Sequence, residues 1–117
     1  MPQQLYDSRC DQPLVAMFMQ YVDDNIQHRL AVPQLAEALE TKPYILSQVV
    51  NTSLGQTIPG YIRKRRMEVA ARLLVETDYS IRAIAKRLRF NGQDYFTAQF
   101  RIHQGLSPSA YRHAYQS

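Results

Sequence analysis

The chain has 117 residues, of which 45% are hydrophobic, so it can bury the core of one domain or two very small ones and is not globally disordered. Its 14 Lys and Arg against 10 Asp and Glu give a net charge of +4, and no apolar run approaches the about 18 residues that cross a membrane. Residues 1–12 lack the pattern of a signal peptide, and the single cysteine, Cys10, excludes an intramolecular disulfide and fits a reducing cytoplasm.

Long runs rich in Leu, Ala, Arg, Glu and Gln, with only four glycines, indicate an all-helical fold. After a flexible N-terminus over residues 1–12, the segment QPLVAMFMQYVDDNIQHRL is expected to contain the first helix. Its apolar stripe follows helical spacing and consists of Val15, Phe18, Met19, Val22 and Ile26.

Two helices separated by a short break are expected next. The first, VPQLAEALE, has Pro33 in its first turn, and the second, PYILSQVVN, opens at Pro43 and is stopped by Gly55. The apolar positions expected to face inward are Leu35, Ala36, Leu39, Leu46, Val49 and Val50.

The second half predicts a long helix followed by three shorter ones. The long helix runs from about Ile58 to Glu76, Ser80 caps the helix in SIRAIAKRLRF, a third spans 92–103, and Ser107 caps the last. The inward positions in this half are expected to be Ile62, Val69, Ala70, Leu73, Leu74, Ile81, Ile84, Ala85, Leu88, Phe96 and Phe100.

An internal repeat connects the two halves. Leu35, Ala36 and Leu39 recur 49 residues later, as Ile84, Ala85 and Leu88. Val50, Gly55, Thr57 and Tyr61 recur 50 residues later, as Phe100, Gly105, Ser107 and Tyr111. One residue is therefore inserted in the turn, and a double match of this kind is hard to obtain from chance helical periodicity.

Each repeat predicts a helix-turn-helix, whose second helix lies in the major groove of DNA. The uneven charge agrees, because residues 1–60 hold three Lys and Arg against six acids, whereas residues 61–117 hold eleven against four. The candidates for reading base edges are Tyr44, Ser47, Gln48, Gln93, Asp94, Thr97 and Ala98. The candidates for holding phosphates are Asn51, Arg63, Lys64, Arg101 and Arg112.

Interpretations that involve no contact with DNA remain open for these residues. The two polar faces could simply be solvated, and Asp94 could cap its helix or repel phosphates instead of accepting from cytosine N4. Arg66, one turn after Ile62, is expected to form a partly buried ion pair, with Glu68 and Glu76 as exposed partners. The three histidines, at 28, 103 and 113, lack further ligands at metal-binding spacing, and no catalytic motif is present, so neither a metal, a cofactor nor an enzyme is expected.

The motifs SIRAIAKRLRF, QDYF, SPSAYR and YIRKRRMEVAARLL together resemble the DNA-binding domain of AraC/XylS-type bacterial transcription regulators, over about residues 13–112. The resemblance implies seven helices, with helix-turn-helix subdomains at 13–56 and 77–114, a linker helix at 57–76 and a tail at 115–117. It also implies a monomer that places two recognition helices in successive major grooves. The chain looks like the short stand-alone activators of the multiple-antibiotic-resistance and superoxide-response type, and we expect its activity to follow protein amount and not an inducer.

Four positions depart from the family pattern. The family usually has Gly in each turn, where this chain has Glu40 and Arg89, so each turn is expected to be slightly rebuilt. The family often has Arg where this chain has Gln48 and Ala98. The expected function is a sequence-specific activator that binds double-stranded DNA and contacts RNA polymerase in the cytoplasm, at the nucleoid. The alternative is a protein-interaction module that binds polymerase or another regulator and little DNA.

Overall fold

Helices form all of the regular secondary structure in the described part of the chain. A computed structural model describes residues 3–116, with side chains from residue 13 onward. Over that range seven helices follow in order: α1 (Gln3–Asp24), α2 (Val32–Ala38), α3 (Pro43–Leu54), α4 (Ile58–Glu76), α5 (Ile81–Arg87), α6 (Gln93–Gln104) and α7 (Pro108–Tyr115). The prediction of an all-α fold with seven helices is confirmed.

The ends of α1 differ from the expected ones. The helix begins at Gln3, so the backbone of 3–12 is helical where a flexible segment was expected; residues 1–2 and the side chain of Cys10 lie outside the described part. It ends at Asp24 because Asn25 turns the chain, and the Asn25 side-chain amide donates to the Tyr21 carbonyl oxygen over 2.9 Å. A side-chain amide that satisfies a terminal carbonyl stabilises a helix end, and no pattern in the sequence indicated it.

The chain divides into two compact units, residues 1–62 and 63–117. In the first unit α1 packs on α3, and Phe18, Val22, Leu46 and Val50 are fully buried. Met19, which was expected in the core, is 38% exposed. It lies about 100° around the helix from Phe18, and only one of two adjacent side chains can point at the centre of the core.

In the second unit the inward face of α4 is shifted from the predicted one. Met67 is 1% exposed and Ala71 is 9% exposed, whereas Val69 and Leu73, expected to be buried, are half-buried at the edge. Aromatic rings continue the core from α6 into α7, because Phe100 meets the ring of Tyr111 edge-on at 5.3 Å. Such edge-on pairs add to the stabilisation that burial alone provides.

The first helix-turn-helix has its turn closed by two backbone hydrogen bonds. The N–H of Thr41 donates to the carbonyl oxygen of Ala36 over 2.9 Å, and the N–H of Glu40 donates to Glu37 over 3.1 Å. This pair of bonds is the Schellman motif, which requires a left-handed residue just beyond the helix. Glu40 supplies this left-handed residue, with φ 56°. The turn therefore keeps the shape that glycine would give, and the expectation that it would be slightly rebuilt is wrong.

The second turn repeats this pattern 49 residues later. The N–H of Phe90 donates to Ala85 over 2.9 Å, the N–H of Arg89 donates to Lys86 over 3.2 Å, and Arg89 has φ 63°. Asn91 is the extra residue, and it stands between this closed turn and the start of α6. The repeat found in the sequence is therefore reproduced bond by bond within each unit.

Candidate nucleic-acid interface

The outer face of α3 is polar and fully accessible. Gly55, at φ 70°, ends α3. The buried side of α3 consists of Leu46, Val49 and Val50. The opposite side presents side chains that are all exposed: Tyr44, at 68%, with Ser47, Gln48 and Asn51. The structure therefore brings the four candidates of the first unit together on one helix face, as the sequence predicted.

The outer face of α6 is different in character. Phe96 and Phe100 are completely buried, which turns Gln93, Asp94 and Ala98 to solvent and leaves Thr97 half-buried. One shallow and mostly apolar depression crosses this face, and its lining is Asp94, Thr97, Ala98, Arg101, Ile102 and Ser107. The predicted candidates of the second unit thus also share one surface, with Gln93 next to it at the helix start.

The sequence reasoning did not single out Ile102. Its side chain is 73% exposed, the most exposed of the large hydrophobic residues in the described part of the chain. It lies four residues beyond Ala98 and therefore on the same helix face. The spacing alone could have identified it, but the face was interpreted as polar, and an isoleucine near the helix end was not considered.

Capping by side chains fixes the starts of the helices that flank α6. The Oγ of Ser80 accepts from the N–H of Ala83 over 3.0 Å, and the Oγ of Ser107 accepts from the N–H of Ala110 over 3.2 Å. The caps predicted at Ser80 and Ser107 are confirmed. Each satisfies a donor that the first turn of a helix leaves unpaired and so stabilises the start of its helix.

Three of the four cations that were expected to hold phosphates are exposed. Arg63 and Lys64 are exposed on α4, and Arg101 is exposed on α6. Among their neighbours, Arg65 pairs with Glu68 at 2.6 Å. The exposed cations on these faces are the kind that neutralise a phosphate backbone.

Arg66 is half-buried, as expected for a structural residue. Its burial and, to a smaller extent, the nearby positive charge of Arg89 lower the pKa of Arg66 from its usual value. Burial and a like charge both disfavour the charged form of a guanidinium. Half-buried Arg66 is therefore a weaker candidate for a phosphate contact than the exposed Arg63 and Lys64.

Arg112 does not fit the phosphate role that the sequence suggested. It is half-buried, and its Nε donates to the carbonyl oxygen of Leu74 over 2.9 Å while a terminal nitrogen donates to Thr77 over 3.2 Å. Gln116, placed in the expected tail, donates to the same Thr77 oxygen over 3.0 Å. These donors cap the end of α4, so Arg112 serves the fold, and only Ser117 of that tail lies outside the described residues.

No group of three or more His, Cys, Asp or Glu side chains is placed to hold a metal ion in the part of the chain that the structure describes. Over the same residues, each helix is too short or too polar to pass through a lipid bilayer.

Two helix-turn-helix units with exposed second helices define a class of protein, the DNA-binding proteins of the helix-turn-helix type. Comparisons agree, because a family model described as a helix-turn-helix domain matches residues 35–114. The regulatory protein SoxS of Salmonella typhimurium is 30% identical over 102 residues, which cover 87% of this chain and 95% of SoxS. The transcriptional activator AarP of Providencia stuartii is 28% identical over 99 residues, which cover 85% of this chain and 73% of AarP.

A solved structure gives the same result. The DNA-binding domain of the global transcriptional factor AdpA, in complex with a target DNA, superposes with a TM-score of 0.79 at 27% identity, over 88% of this chain and 92% of that one. The chain belongs to the AraC/XylS family of DNA-binding transcription regulators.

Proposed function

We propose that this chain is a sequence-specific transcription activator that binds an asymmetric DNA site as a monomer, with α3 and α6 in successive major grooves. The proposal is supported by the presence of two helix-turn-helix motifs in one chain, whose turns are closed by the same pair of backbone hydrogen bonds. Two reading helices on a single chain make a second copy unnecessary, and two different reading faces call for two different half-sites.

The reading of bases is assigned to the exposed faces of the two helices. On α3 the candidates are Tyr44, Ser47 and Gln48, and on α6 they are Gln93, Asp94, Thr97 and Ala98. Amide and hydroxyl groups can exchange hydrogen bonds with base edges, and carboxylates can accept from cytosine N4. Because a hydrogen bond to a base edge forms only with the matching base, the contribution of these groups depends on the base sequence that they meet.

Phosphate contacts are assigned to Asn51 on α3, to Arg63 and Lys64 on α4, and to Arg101 on α6, all of which are exposed. Each cation that neutralises a phosphate releases a counterion, so these contacts raise affinity for any DNA and make it sensitive to salt. They set the orientation of the protein and carry no sequence information themselves.

Activation, rather than repression, is supported by the similarity to AarP, whose name describes a transcriptional activator. An activator of this kind works beside RNA polymerase, so we include polymerase as a protein partner and the cytoplasm, at the nucleoid, as the place of action.

The test begins with selection of bound sequences from a random pool of duplexes. We expect one asymmetric site of roughly two helical turns, protected by one chain per site in footprinting and in sedimentation of the complex. Affinity should fall steeply with salt, with a log–log slope that corresponds to several phosphate contacts. A palindromic site that needs two chains would contradict the monomer, and a pool that yields no enriched sequence would contradict specific DNA binding altogether.

A further inference from the structure

The two reading faces differ in chemistry, and the difference is concentrated around Ile102. On α3 the exposed candidates after Tyr44 are all polar. On α6 the depression that runs along the outer face joins the methyl-bearing side chains of Thr97, Ala98 and Ile102. Ile102 is 73% exposed on a surface that is proposed to bind DNA, so most of its side chain is not used by the core of this unit.

The major groove contains one apolar group on a standard base, which is the C5-methyl of thymine. We propose that the outer face of α6 reads thymine methyl groups through Ala98 and Ile102, so that its half-site is defined by the positions of thymines. This inference rests on the proposed function and names the base that the second half-site requires.

The geometry of the helix suits more than one methyl group. Ala98 and Ile102 are one turn apart, about 6 Å along the helix axis, which is close to the rise of two base pairs at ~3.4 Å each. The short Ala98 leaves room for a base edge to approach α6. The longer Ile102 side chain extends outward near the C-terminal end of that helix. Thymines two base pairs apart can therefore contact both side chains at once.

The charged neighbours of this depression favour DNA over an apolar protein partner. Arg101 lines the same depression and is exposed, so a phosphate beside the methyl-bearing base has a cation to meet. Asp94 also lines the depression, where its carboxylate can accept from the amino group of a base and would lack a partner under an apolar protein surface. A patch that combines apolar side chains with an arginine and an aspartate suits the mixed edge of a base pair.

Replacement of thymine by deoxyuridine removes the C5-methyl and leaves every hydrogen-bonding group in place. In the selected site, each thymine is replaced in turn and the affinity of the full chain is measured by fluorescence anisotropy. We expect a loss of about threefold to fivefold for each methyl that is buried against α6. The variant Ile102→Ala should bind the thymine duplex more weakly by a similar factor and should lose nothing further on the matching uracil duplex.

The control variant is Gln48→Ala, which changes α3 and should keep the full uracil effect at the thymines assigned to α6. Because Ile102 is so exposed, its replacement should leave the thermal unfolding transition unchanged, which confirms that the fold is intact. If the uracil series leaves specific binding intact at every position, the inference is wrong and the proposed function stands. If the Ile102→Ala variant retains full sensitivity to uracil, another residue reads the methyl and the inference is also wrong. Failure of the wild-type chain to bind any site specifically would remove the proposed function and this inference together.

Discussion

The Nε of Arg112 donates a hydrogen bond of 2.9 Å to the carbonyl oxygen of Leu74, 38 residues earlier in the chain. Leu74 lies in the last turn of α4, where main-chain carbonyls have no partner inside the helix. A guanidinium at this end also interacts favourably with the negative end of the helix dipole. Arg112 on α7 thus ties the end of α4 to the last helix of the same unit.

Replacement of Arg112 should therefore reduce stability. Arg112→Ala leaves the carbonyls of Leu74 and Thr77 with fewer donors and should lower the free energy of unfolding by about 1–3 kcal/mol, measured by urea denaturation. Arg72→Ala, an exposed arginine on the same helix as Leu74, is the matched control and should change it by no more than about 0.5 kcal/mol. A variant Arg112→Ala with unchanged stability and a lower salt dependence of DNA binding would restore the phosphate role instead.

The turn residues Glu40 and Arg89 should be replaceable by glycine with a gain in stability. Both have positive φ, at 56° and 63°, in a conformation that disfavours side chains by about 1–2 kcal/mol. Part of this gain is offset by the greater freedom of glycine in the unfolded chain, so we expect Glu40→Gly to raise the free energy of unfolding by about 0.5–1 kcal/mol. Arg89→Gly should gain at least as much, because it also removes the positive charge that acts on Arg66.

Alanine at the same positions separates the backbone effect from the side-chain effect. Glu40→Ala removes the carboxylate and keeps a Cβ in the left-handed conformation, so its stability should stay close to that of the wild type. If alanine stabilised the chain as much as glycine, the charge and not the backbone would be responsible.

Local signals in the sequence placed the helices from α2 onward, although α2 and α5 end earlier than expected, at Ala38 and Arg87. Proline at Pro33 and Pro43, glycine at Gly55 and Gly105, and serine caps act within one helical turn, so their effect can be predicted from neighbouring residues. The repeat was also visible, because the same short-range signals recur at nearly one offset.

The predictions from sequence that the structure contradicts failed for a different physical reason. The contact between Arg112 and Leu74 depends on how α7 folds back within its unit, which no local pattern specifies. Similarly, Phe18 and Met19 are both apolar and adjacent, and only the packing of α1 on α3 decides which of them is buried. On the candidate site, the sequence grouped the residues of each face correctly but could not show that Ile102 remains exposed.

The glutamines on the two reading helices should affect sequence-specific binding. Gln48→Ala or Gln93→Ala should weaken binding to the best site by about 1–3 kcal/mol and change binding to a scrambled duplex much less, because a contact to a base edge depends on the base. Both side chains are exposed, so the fold should be unaffected. Equal losses on the two duplexes would mean that these faces do not read bases.

Cations on α4 should show the opposite pattern. Arg63→Ala or Lys64→Ala should weaken binding to both duplexes alike and lower the salt slope by about one for each phosphate that is no longer neutralised. Measurement of all four variants at two salt concentrations distinguishes residues that contact base edges from residues that contact phosphates. If neither the glutamines nor the cations alter DNA binding, the protein-interaction module becomes the better explanation of the surface.

Asp94 should reduce the affinity of the chain for DNA of unrelated sequence. It is exposed in the first turn of α6, where its charge suits the positive end of the helix dipole but lies on the face that is proposed to meet DNA. Asp94→Asn should therefore raise affinity for a scrambled duplex by about threefold to tenfold at low salt, and this gain should shrink as salt screens the charges. On the selected site, discrimination in favour of cytosine at one position should be lost, because the amide can donate as well as accept. Asp78→Asn, an equal change of charge at an exposed position before α5, is the control and should leave the cytosine preference intact. If Asp94→Asn gave neither a gain on scrambled DNA nor a loss of cytosine preference, Asp94 would lie outside the interface.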